Sequence, residues 1–410
     1  MLKKIFSSEL GRGAIILFVT INIFNFLNFL FHFFMGRILG PEDYGTLAVL
    51  MSIVYIYTIP TETIQTLISN YTSKLNLKKN EGEIKFLIIK SLKSGIILSW
   101  WVFLFATLIG FFVAKFLDIN FWLIFITNII LFFAFSLPVM RGVLQGRKKF
   151  GALGGNLIIA SLLKLFFAVS LVILGFKVFG AMIGILLGAS AGLVFSFYSN
   201  KDILIKKEKK IVFDRIYSQS IPYLITMIVI LLIFSLDILF AKKFFSAEFA
   251  GKYAVLSMLG KAIFLGTLAV SKVMFPLTSE RYYTSSDSTG LFKKSLLLIS
   301  LICVIIVAIY GFFPKLIIMV LYGSQYTDMY PYLVFSGIAF SFLSLTNLIY
   351  IYGLSTNRIK NTPFLFIFLA IEIILFYLFH ANILEYITGF MVSNIIMFIG
   401  SFFFIEKQKD

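Results

Sequence analysis

Twelve stretches of this chain, each about 20 residues long, consist almost entirely of apolar side chains and are separated by short polar segments. A bilayer core about 30 Å thick needs about 20 apolar residues for one helical crossing. With 60% hydrophobic and only 13% charged residues, the chain has too few polar side chains to cover a water-soluble globule. The sequence therefore predicts an all-α polytopic membrane protein. Its predicted spans, numbered 1 to 12, lie near 13–35, 46–69, 94–114, 119–138, 153–175, 178–199, 220–241, 253–275, 292–313, 331–352, 362–379 and 383–404.

The positive charges are distributed unevenly between the two sides of these spans. If the loops alternate across the membrane, the N-terminus and the even-numbered loops contain most of the 36 lysines and arginines. Basic loops remain on the cytoplasmic side. We therefore expect a multi-pass protein of the plasma or inner membrane with both termini in the cytoplasm. Because topology explains most of the net charge of +17, no nucleic-acid partner is expected.

Residues that commonly carry enzymatic or metal chemistry are scarce. Cys303 is the single cysteine, so an intrachain disulfide is excluded and a cysteine-rich metal site is not expected. The sequence contains no HExxH and no P-loop motif. We expect no catalytic residues, no bound metal and no cofactor.

A short pattern occurs once in each half of the chain. GRILGPEDYGTLAVL at 36–50 and KKFFSAEFAGKYAVL at 242–256 both follow a predicted odd-numbered span and begin the next. An even number of spans per repeat gives a parallel repeat, related by a pseudo-two-fold axis along the membrane normal. We therefore predict two six-helix lobes, 1–199 and 220–410, joined by a cytoplasmic linker at 200–219. A weaker match relates the inner turns Arg147–Lys149 and Arg358–Lys360.

The repeated segments also have the composition of helix starts. Gly40 and Ser246 are suitable N-caps, and Pro41 is suited to the first helical position. Glu42 and Glu248 then place a carboxylate near the positive end of a helix dipole. We interpret both glutamates as parts of a structural start signal.

Three segments resemble a known family. GRILGPEDYG at 36–45, RGVLQGRKKF at 141–150 and LYGSQY at 321–326 resemble the polysaccharide biosynthesis flippases of the multidrug/oligosaccharidyl-lipid/polysaccharide exporter superfamily. The resemblance implies a V-shaped pair of lobes, alternating access, and a cleft lined by spans 1, 2, 7 and 8. It also implies a polyprenyl-diphosphate-linked oligosaccharide as cargo. Membrane lipids, and glycosyltransferases and a polymerase of the same pathway, are the expected partners.

Charged side chains inside the spans indicate a functional or structural role, because inserting each one at the centre of a membrane helix costs roughly 2.5 to 3.5 kcal/mol of free energy. Helical periodicity further places polar residues on common faces of spans 1, 2, 7 and 8. Four helices with such faces enclose water, although a dry bundle also uses Asn, Ser and Thr as interhelical hydrogen-bonding groups. The predicted cavity residues are Lys261, Lys272, Glu62, Asp237, Asn22, Asn25, Asn28, Gln65, Tyr55 and Lys164.

The roles we assign follow from charge and depth. Lys261 and Lys272 are expected to hold the diphosphate as point charges. Asp237 near the outer side and Glu62 near the inner side are expected to neutralise them, respectively, when no substrate is bound. Whether one of the carboxylates exchanges a proton or Na⁺ is left open. Pro60 removes a backbone hydrogen bond in span 2 and predicts a hinge or a static kink.

Other functional classes remain open at this stage. A cation-coupled multidrug-type antiporter of the same superfamily requires an acidic cavity, which the intramembrane lysines disfavour. A membrane enzyme acting on the same lipid-linked donor requires a large outer loop, and the outer loops are short. A non-transporting partner of polysaccharide assembly is the third alternative.

Overall fold

The computed structural model describes residues 9–210, 221–283, 287–356, 358–359 and 362–403. These residues fall into two compact units: unit 1 contains those of 1–43 and 53–215, and unit 2 those of 44–52 and 216–410. Residues 211–219 of the predicted linker, and the ends at 1–8 and 404–410, lie outside the described part. The lobe boundaries predicted from the repeat stay a prediction.

Almost all described residues are helical. In the first half of the chain the α-helices are α1 (Glu9–Tyr57), α2 (Ile59–Leu77), α3 (Glu81–Leu117), α4 (Phe121–Gly146), α5 (Phe150–Leu171), α6 (Lys177–Ser199) and α7 (Lys201–Leu204), with a π-helical turn at Val172–Phe176. In the second half they are α8 (Ile221–Phe244), α9 (Ala247–Tyr283), α10 (Ser288–Phe312), α11 (Pro314–Leu321), α12 (Leu333–Ser355), α13 (Phe366–Leu378) and α14 (Ile383–Ser401), with 3₁₀ helices at Ser324–Tyr332 and Thr362–Leu365.

Nine helical segments of the described chain are long and apolar enough to cross a membrane, and Thr362–Leu378 is a shorter apolar segment. Two of the nine, Val19–Leu77 and Phe150–Ser199, have 59 and 50 residues. Both exceed twice the length of about 20 residues that one crossing needs. Each contains a glycine with positive φ, 75° at Gly40 and 93° at Gly175, which interrupts the helical backbone.

The two repeated helix starts have the predicted geometry. Gly40 has φ 75° and ψ 172°, and the helix resumes at Pro41. In the second copy, the Ser246 Oγ accepts a hydrogen bond of 3.4 Å from the backbone N–H of Phe249, and α9 begins at Ala247. The interpretation of these segments as helix starts is confirmed.

Residues 44–52 pack inside unit 2 because two glycines allow close backbone approach. A Cβ built on Gly45 would lie 2.6 Å from the Cα of Gly251. Beside this crossing, the ring of Tyr44 lies 5.7 Å from that of Tyr322 and 6.3 Å from that of Tyr326. Residues 44–52 and α9 therefore cross, within unit 2, at equivalent positions of the sequence repeat.

Each unit contains a span whose apolar stretch is mostly buried. In α4 of unit 1, and in α12 with the preceding 3₁₀ helix of unit 2, 72% of the residues of that stretch are buried. The segments α3 and α10, at 11% and 17%, are far more exposed, as helices that face lipid should be. The side chains of α4 and α12 therefore set the interior of the two units.

Candidate functional site

A buried ion pair occupies the interior of unit 2. The Lys261 Nζ on α9 lies 3.1 Å from the Asp237 Oδ1 on α8, with 1% and 0% of the side chains exposed. The ammonium also lies over the ring of Phe234 at 5.0 Å and that of Phe340 at 5.9 Å. The predicted pairing of these two residues is therefore present, and in this structure the pair is enclosed by protein.

Hydroxyl groups complete the surroundings of Asp237. The Ser257 Oγ donates to Oδ2, and the Tyr253 hydroxyl donates to the same oxygen at 3.4 Å. The Tyr386 hydroxyl donates to the backbone carbonyl of Asp237 at 2.5 Å. A buried carboxylate needs several hydrogen-bond donors, and the hydroxyls of Ser257 and Tyr253 supply two of them. These contacts hold the ion pair in position.

A second carboxyl group lies in the same interior. Glu372 on α13 is 1% exposed and interacts electrostatically with both Asp237 and Lys261. The Ser393 Oγ donates to its Oε2 at 3.4 Å, whereas its Oε1 is buried without a hydrogen-bond partner among the described residues. Two carboxyl groups and one ammonium group thus share this interior.

Unit 1 contains a cation of a different kind. The Lys164 Nζ on α5 donates to the Oδ1 of Asn28 on α1 and lies 4.7 Å from the ring centre of Phe31. The Asn28 Nδ2 donates in turn to the Phe24 carbonyl at 2.8 Å. No described residue forms a salt bridge with Lys164. A half-buried cation is therefore held by a neutral amide and an aromatic ring.

Arg141 is a second cation of unit 1, and it lies beyond the predicted end of span 4 at residue 138. The structure places it inside α4, where its Nε donates to the Asn156 Oδ1 at 2.6 Å. It also interacts electrostatically with Glu62. The residue was missed because the apolar run ends at Pro138, whereas α4 continues through that proline to Gly146.

The segment RGVLQGRKKF forms a helix-packing surface. A Cβ on Gly142 would lie 2.8 Å from the Gln65 carbonyl oxygen, and one on Gly146 would lie 2.5 Å from that of Ser69. Between these contacts the Gln65 Nε2 donates to the Gln145 Oε1 at 2.9 Å. Small residues four positions apart permit this close helix crossing. The segment therefore fixes α2 against α4.

The other predicted site residues lie in varied environments. Glu62 in unit 1 and Lys272 in unit 2 are exposed, and their role as a pair stays a prediction. Pro60 is the second residue of α2, two positions after the helical interruption at Thr58, and its role as a hinge also stays a prediction. In unit 1, Asn22 and Asn25 are exposed, while Tyr55 and Gln65 are half-buried.

A charged cluster follows α4 in unit 1. The Arg147 guanidinium donates to both carboxylate oxygens of Asp202, at 3.0 and 2.5 Å, and the Lys149 Nζ lies 3.0 Å from Oδ2. The hydrogen bonds from Arg147, followed by that from Lys149, hold the pKa of the Asp202 carboxyl well below its usual value. This cluster attaches the start of the predicted linker to unit 1.

Long apolar helices in two compact units, with amide-held cations inside the spans, are the features of a multi-span membrane protein. The model of the family described as "Polysaccharide biosynthesis protein" matches residues 10–281. The chain belongs to this family, so the resemblance seen in its sequence motifs is confirmed. No match to the sequence is found among curated proteins.

Solved structures share the fold at low sequence identity. An inward-facing multidrug resistance MATE family transporter of the MOP superfamily aligns with a TM-score of 0.72 and 14% identity, over 94% of this chain and 97% of that one. The lipid II flippase MurJ aligns with a TM-score of 0.67 and 12% identity, over 95% and 87%. A MOP superfamily transporter from Pyrococcus furiosus aligns with a TM-score of 0.64 and 14% identity, over 95% of each chain.

Proposed function

We propose that the protein is a flippase that moves a polyprenyl-diphosphate-linked oligosaccharide from the cytoplasmic to the outer leaflet for cell-surface polysaccharide biosynthesis. Membership of the polysaccharide biosynthesis family supports a role in this pathway. The solved structure of a lipid II flippase with the same fold supports a lipid-linked cargo. The observation that carries the proposal is Lys164, an intramembrane cation held by an amide rather than an acid.

The chemistry of such a cargo suits these side chains. A diphosphate headgroup is anionic and its sugars are polar, whereas the prenyl tail remains in lipid. Cations such as Lys164 and Arg141 attract the phosphates, and the amides of Asn28 and Gln65 hydrogen-bond the sugars. No bond is made or broken in this step. The protein needs only a hydrated cationic path that opens alternately to each side.

The buried pair in unit 2 has a complementary role in this proposal. Asp237 neutralises Lys261 in the conformation described here, and Lys272 supplies an exposed cation on the same helix, α9. Breaking the Asp237–Lys261 pair in another conformation frees a lysine for the diphosphate. Coupling of transport to a proton or to Na⁺ is part of the proposal, with Asp237 and Glu62 as the exchanging carboxylates.

We also propose twelve spans in two six-helix lobes for the complete architecture. Counting the two longest segments as two spans each, divided at Gly40 and Gly175, and adding the shorter Thr362–Leu378 supports this number. The charge distribution supports cytoplasmic termini in the plasma or inner membrane. Glycosyltransferases and a polymerase of the same pathway are the proposed protein partners.

Reconstitution in lipid vesicles tests the proposal. Vesicles with the full-length protein receive a fluorescent prenyl-diphosphate sugar in one leaflet, and the headgroup appearing in the other is measured with and without proton or Na⁺ gradients. Faster appearance than in protein-free vesicles is expected. A rate equal to that of protein-free vesicles under every gradient would contradict the proposal.

A multidrug-type antiporter is the second candidate, because a transporter with that function shares the fold. The same vesicles loaded with an organic cation distinguish the two functions. Export of the cation without translocation of the lipid-linked sugar would favour the antiporter.

A further inference from the structure

The two inner turns of the repeat begin with arginines whose surroundings differ. Arg147, after α4, makes a bidentate salt bridge with Asp202 in unit 1. Arg358, its counterpart after α12 in unit 2, makes no salt bridge with any residue in the described part of the chain. Lys360, the last residue of the second turn, lies outside the described residues. Within the described residues, the two repeats therefore contain one arginine in a salt bridge, Arg147, and one without a salt bridge, Arg358.

Arg358 is nevertheless buried. Its side chain is 9% exposed, and its Nη1 donates to the Tyr352 hydroxyl at 3.3 Å. The guanidinium carbon lies 5.4 Å from the ring centre of Tyr282 and 5.8 Å from that of Tyr352. Its Nη2 is buried and has no acceptor among the described residues. A buried cationic donor without an acceptor is costly, so the site is incomplete without an anion.

Other groups near Arg358 also favour an anion. The Tyr352 hydroxyl that accepts from Arg358 lies 3.3 Å from the Thr289 Oγ1, on the second residue of α10. The guanidinium is thus close to a helix N-terminus, whose dipole attracts negative charge. The nearby Asp287 is exposed, and its carboxylate accepts the Gly290 N–H at 2.6 Å, so it caps the helix rather than neutralising Arg358.

Two tyrosine rings flank the guanidinium of Arg358: Tyr352 is buried and Tyr282 is exposed. The ring of Tyr352 stacks on that of Phe292 with centroids 4.3 Å apart, so it is held from behind. Tyr282 is 37% exposed and lies over the guanidinium. Its ring is therefore the more exposed of the two tyrosine rings that flank the guanidinium.

We propose that Arg358 is the anchor of a phosphate-binding site at the predicted cytoplasmic end of unit 2. The planar guanidinium matches a phosphate group, Tyr352 and Thr289 supply hydroxyls, and the α10 N-terminus supplies a positive dipole. The phosphate comes from a lipid headgroup, from a prenyl diphosphate or from free phosphate, which share this chemistry. The site stands independently of whether the chain moves a lipid-linked sugar.

Equilibrium binding to the purified full-length protein tests the site. The probes are inorganic phosphate in detergent, phosphatidylglycerol in zwitterionic vesicles, and a short prenyl diphosphate in the same vesicles. Arg358→Gln removes the charge of the proposed site. Arg147→Gln is the control, because Arg147 is already paired with the carboxylate of Asp202. We expect at least one probe to bind the parent and the Arg147→Gln variant with equal affinity. The same probe should bind the Arg358→Gln variant at least about tenfold more weakly.

The three probes identify the source of the phosphate. Binding of phosphatidylglycerol alone assigns the site to a lipid headgroup, and preference for the prenyl diphosphate assigns it to that lipid carrier. Binding of inorganic phosphate assigns it to a free anion. The absence of binding by all three, or equal affinities of Arg358→Gln and Arg147→Gln, would overturn the proposal.

A second variant keeps the test decisive if Arg358→Gln does not fold. Tyr352→Phe retains the ring stacked on Phe292 and removes only the hydroxyl beside Arg358. We expect a several-fold loss of affinity for the probe that binds the parent. Unchanged affinity in this variant would also count against the site.

Discussion

Gly45 and Gly251 pack backbone against backbone inside unit 2. They occupy the same position of the two sequence repeats, so equivalent glycines of the two halves meet at one helix crossing. Any side chain at Gly45 would place its Cβ 2.6 Å from the Cα of Gly251, closer than real Cβ contacts. The repeated glycine is therefore required by packing at this crossing.

The close contact between Gly45 and Gly251 predicts that adding one methyl group at Gly45 lowers the stability of the protein. Gly45→Ala should lower the free energy of unfolding by about 1–3 kcal/mol, because the backbones have to separate. Gly266→Ala, in α9 where nothing lies within 4 Å, is the matched control and should be neutral or stabilising. Thermal unfolding in detergent compares the two variants. Equal midpoints would show that the close contact does not limit stability.

The Asp237–Lys261 pair predicts strong coupling between its two partners. Asp237→Leu leaves a buried ammonium without its counter-charge and should cost about 3–5 kcal/mol. The double variant Asp237→Leu/Lys261→Met removes both charges and should recover most of that loss. Unfolding free energies of the two single variants and the double variant provide the test. Additive losses would mean that the two charges do not interact.

The Asp202 cluster predicts a stability that depends on pH. Since the folded pKa of Asp202 is depressed, its contribution is present above the unfolded value of about 3.9 and is lost as pH falls through the folded value. Its side chain is 45% exposed, so solvent screening keeps the contribution on the order of 1 kcal/mol. The stability difference between the parent and Asp202→Asn should shrink below about pH 4. A difference independent of pH would contradict this.

The sequence predicted the local features of the fold better than the tertiary ones. Apolar length predicted an all-helical membrane protein, and glycine, proline and serine identified the helix starts at Gly40 and Ser246. Depth along the helices brought Asp237 and Lys261 together correctly. Glu372 lies in the same interior but was not predicted to do so, because helical periodicity carries no information on which helices are neighbours. Arg141 was missed because Pro138 does not end α4.

The interruption between α1 and α2 predicts that a substitution at Pro60 changes the transport rate but has little effect on stability. Pro60→Ala restores a backbone donor two residues after Thr58 and should slow transport several-fold if this joint bends during the cycle. Its effect on the unfolding midpoint should be small. Pro138→Ala, in the unbroken helix α4, is the control for removing a helical proline. Unchanged transport by Pro60→Ala would establish a static kink.

In the proposed function, cations inside the membrane spans bind the diphosphate of a lipid-linked sugar while the protein moves it across the bilayer. The most direct test is the rate at which vesicles containing Lys164→Gln translocate a prenyl-diphosphate sugar, compared with Lys115→Gln at the exposed end of α3. Loss of a charge-assisted contact worth about 1.5–3 kcal/mol predicts a rate at least about tenfold lower for Lys164→Gln. Lys115→Gln should match the parent. Equal rates for the two variants, with equal amounts of folded protein, would contradict the account.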